Sequence, residues 1–273
     1  MADIKGTTPK RTVLITGCSD GGIGASLAIA FHKAGLHVYA TALNPTKLTQ
    51  VSTYDCVSKI PSLDILVNNA GAIYTMPFSD LSITKAKELF DLNVWSYLAV
   101  TQTFLPLLLK SRGMIVNQTS VGSVISLPFQ SVYNASKAAM ATFSDTQRLE
   151  LEAFGITVVD LKTGGVKSSI STNNQATGDV TLPENSIYQP AREAVEKFMS
   201  GLGVLDNAMP TDQYAELVVA DLLKKNPSSV IWRGSTAWEM FLIRLSTLSP
   251  NGALDGTIKK LTGVDVLEQK VQS

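Results

Sequence analysis

The chain has 273 residues, 45% of them hydrophobic and 17% charged, which is enough for one large core. Its 23 basic and 23 acidic residues cancel, and the absence of any Lys/Arg run argues against a nucleic-acid partner. The two cysteines, Cys18 and Cys56, have neither metal-ligand spacing nor a disulfide framework, so no metal site and a reducing, cytoplasmic setting are expected.

In chain order, Met1 to Arg11 is short and polar and lacks the apolar centre of a signal peptide. Thr12 to Thr16 (TVLIT) reads as a buried parallel strand. It ends in Thr16–Gly17–Cys18–Ser19–Asp20–Gly21–Gly22–Ile23–Gly24, and a helix follows from Gly24 to Ala34, stopped by Gly35. Glycines in such a turn let backbone amides approach a pyrophosphate, and the helix N-terminus behind them favours negative charge. By themselves they suit a dinucleotide turn and an ordinary βα turn about equally, although the motif's strand and helix are both present.

His37 to Ala42 (HVYATA) is the second strand. Leu43 to Ser62 is then only twenty residues long. A helix, a strand, another helix and their loops would need about 40. The third strand/helix unit is therefore expected to be shortened or missing, with the loss falling at a sheet edge. Leu63 to Val67 (LDILV) is the next strand and opens into Asn68–Asn69–Ala70–Gly71, which alone is a capped turn. A long helix is predicted from Leu81 to Leu109, bent at Pro106. No stretch reaches the ~18 apolar residues of a membrane span, since Thr101, Gln102, Thr103 and Pro106 interrupt the best candidate.

Met114 to Asn117 is a strand running into Ser120, Val132 to Phe154 a helix ended by Gly155, and Ile156 to Leu161 a strand. This alternation predicts an α/β fold of Rossmann type, a doubly wound parallel sheet in one domain. Residues 11–167 would form the nucleotide-binding and catalytic core. Residues 168–210, punctuated by Asn, Thr, Gly and Pro, would form a substrate lid. Residues 211–273 would add a strand at Val230–Trp232 and helices. One of these carries a stripe of Trp238, Phe241, Leu242, Leu245 and Leu248, which suits core or subunit interface better than a membrane or lipid surface.

Tyr133 and Lys137 lie four residues apart, on one helix face. A carbonyl that receives hydride needs a proton donor beside it, and a free phenol with pKa ~10 exchanges protons sluggishly at neutral pH. A neighbouring ammonium stabilises the phenolate. A Tyr and Lys at this spacing are more often a surface pair, and Ser120 or Asn93 taken singly is a strand-end cap or a helix kink.

In combination these motifs resemble the short-chain dehydrogenase/reductase family over Arg11 to Val230. The glycine turn matches the family's turn with one extra residue before Ile23–Gly24. Ser120, thirteen residues before Tyr133, has the spacing of the family's active-site serine, and Asn93 in Phe90–Asp91–Leu92–Asn93–Val94 matches its helix asparagine. The resemblance implies that Tyr133 is the general acid/base and that Ser120 holds the substrate oxygen. Lys137 would tune Tyr133 and grip the nicotinamide ribose, and Asn93 would anchor a relay water. It further implies a cofactor site drawn from Gly17, Ser19, Asp20, Gly22, Ile23, Gly24, Asn69, Ala70 and Gly71. Gly164, Val166 and Ser168 would join it, in a segment where Thr163 replaces the family's usual proline.

NAD-preferring enzymes of this fold place an acid at the end of the second strand. Tyr39 to Asn44 has none, so NADP(H) is favoured over NAD(H), with Thr41, Asn44 and Lys47 standing in for a missing arginine. Asp55 is either the family's acid near adenine or a loop aspartate. Leu182 to Tyr188 and Thr163 to Val166 look most like fungal 1-acyldihydroxyacetone-phosphate reductases and hydroxysteroid dehydrogenase-like members. That implies a bulky, lipid-like or natural-product ketone or alcohol, a homodimer or homotetramer, and a cytoplasmic location with peripheral membrane or lipid-droplet contact as an option. The competing reading is a non-redox isomerase or cyclase, or a nucleotide-binding regulator, on the same scaffold.

Overall fold

A computed structural model describes residues 10–42, 60–170, 173, 180–201, 207–237 and 255–272. The strands are β1 (Thr12–Ile15), β2 (His37–Ala40), β3 (Ile65–Asn68), β4 (Met114–Gln118), β5 (Thr157–Thr163), β6 (Val166–Lys167), β7 (Met209–Pro210) and β8 (Val230–Arg233). The α-helices are α1 (Ile23–Lys33), α2 (Ile83–Phe90), α3 (Ser96–Ser111), α4 (Ser131–Leu151), α5 (Arg192–Met199), α6 (Thr211–Leu222), α7 (Asp255–Thr262) and α8 (Val264–Gln272).

Six strands form one parallel sheet in the order β2-β1-β3-β4-β5-β8. Side chains alternate between faces along each strand. Val13, Ile15, Val67, Val116, Val159 and Leu161 accordingly meet Leu27, Phe31, Tyr214 and Val218 of α1 and α6 on one side. Leu14, Leu66, Ile115 and Val158 meet Phe104 and Leu108 of α3 on the other. Each fully buried large aliphatic side chain contributes about 1.5–3 kcal/mol, and β1 and β3 each bury three of them in four residues. Among the described residues β2 is the edge strand, as expected from the shortened unit. Asn44, Lys47 and Asp55 lie outside the described residues, as does the Trp238–Leu248 stripe.

The predicted bend at Pro106 is not where the long helix departs from regularity. Helix α3 runs through Pro106 to Ser111, and the irregular stretch is a π-helical turn at Asp91–Trp95. The run Ile83–Ser111 is long and apolar enough by composition to cross a membrane. Here it packs on the sheet, burying Asn93, Val94, Tyr97, Thr101, Phe104 and Leu108. Strand β5 extends two residues beyond the predicted Leu161, because Lys162 and Thr163 pair with Trp232 and Arg233 of β8. The excursion between residues 168 and 208 is closed at its base, where β6 pairs with β7. Because every strand of the large sheet runs the same way, its carboxyl ends collect at one edge, where crevices open in such sheets.

Candidate active site

The glycine turn follows β1 at that edge. Gly17 and Gly21 have φ of 74°, a left-handed conformation that glycine adopts without penalty. A Cβ on Gly24 would lie 2.5 Å from both the Gly17 carbonyl oxygen and Asn69 Nδ2, so helix and turn approach as only glycine permits. Gly22 is the N-cap of α1 and supplies no side-chain cap, leaving the first helical amides for another acceptor. Asn69 donates to the carbonyls of Thr16 (2.7 Å) and Gly17 (3.1 Å). The Thr16 hydroxyl accepts from the amides of Asn69 and Ala70, each at 3.0 Å. Thr41 closes the far side: its carbonyl accepts from the Cys18 amide at 2.7 Å. Burial pushes the Cys18 thiol up to about 12, against a weaker opposing pull from the Thr41 backbone, so it stays an inert thiol.

Asn68 points the other way, into the core, donating to Thr101 (3.0 Å) and Asn117 (2.9 Å). Asn117 in turn donates to Ser144 and Gln147 of α4. This chain of buried amides fixes α4 over the ends of β3 and β4, and α4 carries the reactive pair.

Tyr133 sits in the first turn of α4, partly open to the crevice. Burial raises its phenol above the ordinary tyrosine range, and a hydrogen bond with Ser120 pulls it back. Ser120 caps the turn Val121–Ser123, its hydroxyl accepting from the Gly122 amide at 3.0 Å. A Cβ on Gly122 would stand 2.8 Å from Asn134 Oδ1 and in ordinary contact with Ser120 Oγ and Tyr133 Cε1, so a side chain there would push on Asn134, the residue after Tyr133.

Lys137 is buried and donates to the Gln118 carbonyl at 2.9 Å, with its ammonium 5.9 Å from the Tyr133 ring centre and 5.5 Å from that of Tyr97. Burial lowers its pKa to about 8, and the negative charge of Asp160 works against that fall. Asn93, inside the π turn, is fully buried. Its amide exchanges hydrogen bonds with the Ala72 backbone, accepting from N at 3.0 Å and donating to O at 2.9 Å. It also donates to Ser136 Oγ at 3.1 Å. Asn93 thus fastens the strand end beside Gly71 to the helix that bears Tyr133 and Lys137.

One crevice is lined by Ile23, Asn69, Gly71, Gln118, Ser120, Tyr133, Lys137, Gly164, Val166 and Ser168. Nine of these ten, all but Gln118, are residues that the sequence singled out, drawn from five separate segments, whereas Gly17, Ser19, Asp20, Gly22, Gly24, Thr41, Ala70 and Asn93 do not line it. Gly164 belongs there for a steric reason: a Cβ would fall 2.2 Å from the Ser235 carbonyl oxygen. Backbone bonds between Gly165 and Ser235, at 2.8 and 2.9 Å, stitch this segment to the end of β8. The Thr163 hydroxyl meets that of Tyr214 on α6 at 2.6 Å. On the open side Tyr133 packs against an apolar cluster that includes Tyr74, Phe129, Leu182, Val195 and Phe198. Phe129, at φ 65°, stacks edge-on with Tyr188 and Phe198.

Sequence reasoning missed Gly122, Gln118, Tyr214 and the charged residues of β5. Asp160 and Lys162 did leave a signal, two opposite charges in alternate positions of an apolar central strand.

A sequence model described as short chain dehydrogenase matches residues 49–179. A short-chain dehydrogenase/reductase of Pestalotiopsis microspora is 51% identical, with 96% of this chain and 98% of that one aligned. An NADPH-dependent 1-acyldihydroxyacetone phosphate reductase of Schizosaccharomyces pombe is 36% identical over 74% of this chain and 78% of its own length. Among solved structures, a short-chain dehydrogenase from Streptomyces avermitilis superimposes with a TM-score of 0.73 at 21% identity. It covers 93% of this chain and 98% of that one, a likeness of fold.

Proposed function

The chain belongs to the short-chain dehydrogenase/reductase family of oxidoreductases, and from that premise we propose that it uses NADPH to reduce the ketone of a bulky, largely apolar substrate. The observation that carries the proposal is the convergence of Tyr133, Ser120 and Lys137 on one crevice that is also lined by Ile23, at the junction of the glycine turn and α1. The turn fits a dinucleotide, because a Cβ at Gly22 or Gly24 would fill space within 2.9 Å of backbone oxygens, and the uncapped amides of α1 point to an anion. Gly17, Ser19, Asp20, Gly22, Ile23 and Gly24 would hold the diphosphate. Asn69, Ala70 and Gly71 would line the adenosine side, and Gly164, Val166 and Ser168 the nicotinamide. When bound, the nucleotide supplies the hydride.

The protein's own part is to manage a proton. Ser120 donates a hydrogen bond to the substrate oxygen and Tyr133 delivers the proton to it. Lys137, as an ammonium, stabilises the phenolate left behind. NADPH rather than NADH is supported by the lack of an acid at Thr41–Ala42 and by the stated cofactor of the Schizosaccharomyces pombe relative. A bulky apolar substrate is supported by the cluster against which Tyr133 packs, with residues 180–201 acting as its lid.

Self-association belongs to the same reading, since Trp95, Leu149 and Phe154 stand 51%, 64% and 58% exposed, in the π turn before α3, on α4 and in the turn after α4. A monomer in sedimentation would overturn that part. Cytoplasmic residence also belongs to it, and cell fractionation checks it. The central test is a titration of NADPH fluorescence with the purified protein, followed by a panel of apolar ketones. Binding with NADPH consumption is expected. Tight binding without turnover of any ketone would favour the non-redox reading instead.

A further inference from the structure

Strand β5 carries a buried ion pair directly behind the active site. Lys162 and Asp160 are 1% and 3% exposed, and Lys162 Nζ lies 2.7 Å from Asp160 Oδ2. Two residues apart on one strand, they share the sheet face covered by α4. Lys162 also donates to Ser123 Oγ at 3.0 Å, and its ammonium lies 5.7 Å from the ring centre of Trp232 on β8. Asp160 accepts a short hydrogen bond from the Thr119 hydroxyl. Thr119 is further tied to β5 by its amide, which donates to the Leu161 carbonyl at 2.9 Å.

Ser120 lies between those two anchors. The carboxylate holds the residue before it, and the ammonium holds the last residue of the turn it caps. Removing two charges from water is costly, and an apolar pair of similar volume in such a place is often as stable or more so. Packing alone does not account for charges at these two positions.

We propose that Asp160 and Lys162 are positioning residues, a clamp that holds the Thr119–Ser123 turn so that the Ser120 hydroxyl stays against Tyr133. The kinetic part of this inference rests on the reductase reading, while the clamp itself has a readout that does not. Tyr133 is faced by Ser120 from the turn, by Lys137 from its own helix and by the Tyr97 hydroxyl from α3. Ser120 is the neighbour whose hydrogen bond lowers its pKa.

The test is the double variant Asp160→Asn/Lys162→Met, which removes both charges and leaves the local net charge unchanged. Its melting temperature should equal or exceed that of the native protein. With the ketone that the native enzyme reduces, kcat should fall about tenfold to a hundredfold, the cost of a misplaced reacting group, while KM and NADPH affinity stay within about twofold. The Tyr133 phenolate should titrate at higher pH than in the native protein, read by ultraviolet difference titration against Tyr133→Phe backgrounds; because the Asp160 charge also acts on Lys137, the Ser123→Ala variant, which keeps both charges, separates the clamp from that field. Ser123→Ala, which cuts only the Lys162 anchor, should show the same pattern at smaller amplitude and covers the case in which the double variant does not fold. Native kcat together with a native Tyr133 titration in either variant would overturn the clamp. If the native protein reduces no ketone, the reductase reading falls and the titration alone decides the clamp.

Discussion

The glycine turn, which leads into the crevice at Ile23, and the Ser120–Tyr133–Lys137 cluster that lines it are held by opposite means. Around Gly17, Gly22 and Gly24 the requirement is for missing side chains: backbone approaches backbone, and Asn69 and Thr16 fasten it from one side. Around Tyr133 the constraints run through polar side chains, which grip backbone and one another. Asn93 grips Ser136, Asn117 grips Ser144, and Lys162 grips Ser123. The first region is specified sterically and tolerates no added atoms. The second is specified chemically and tolerates no lost ones. A binding surface for a large anion needs many similar amides, whereas a proton donor needs one oxygen held in one place.

This contrast can be broken by substitution. The largest effect is expected for Tyr133→Phe, which should lower kcat by about 10²–10⁴-fold with NADPH affinity nearly native. Normal turnover would remove the phenol from its role. In the glycine turn, Gly24→Ala should do the reverse, adding one methyl where 2.5 Å is available. A loss of about 3 kcal/mol in chemical unfolding, with weakened nucleotide binding, is expected. Native stability would show that the turn can yield.

The pH dependence sharpens the comparison. Burial lowers Lys137 from 10.5 to about 8, so below that pH it is an ammonium and above it an amine. Support for the phenolate is therefore present at neutral pH and lost as pH rises through 8, and kcat/KM should decline there. Stability should move the other way, because between about 8 and 10.5 the unfolded chain binds more protons than the folded one. An activity limb that stays flat through this window would argue that Lys137 does not act as a cation. The smallest effect belongs to Tyr214→Phe, which removes the partner of the Thr163 hydroxyl. It should cost about 1 kcal/mol in thermal or chemical unfolding, with kcat little changed.

Much of the crevice was legible in the sequence because its parts are local. The glycine turn needs a strand before it and a helix after it, and both are written in the hydrophobic pattern. Tyr133 and Lys137 face one way because a helix repeats every 3.6 residues. The π turn at Asp91–Trp95 was not legible, since residues 83–111 have one continuous helical pattern and the bulge serves Asn93's contact with Ala72. The roles of Asp160 and Lys162 were equally hidden. Their partners, Thr119 and Ser123, are about forty residues away in the chain and become neighbours only through the pairing of β4 with β5.

The sequence by itself determined the alternation of strand and helix, the parallel sheet that follows from it, and the identities of the reactive side chains. Those properties depend on periodicity and on chemistry carried by single residues. Tertiary structure alone decided that Ser120 meets Tyr133, that Lys137 is buried deeply enough to titrate near 8, and that a charged pair stands behind them. Distance between remote segments and removal from water are properties of the packed molecule, and no local pattern encodes them.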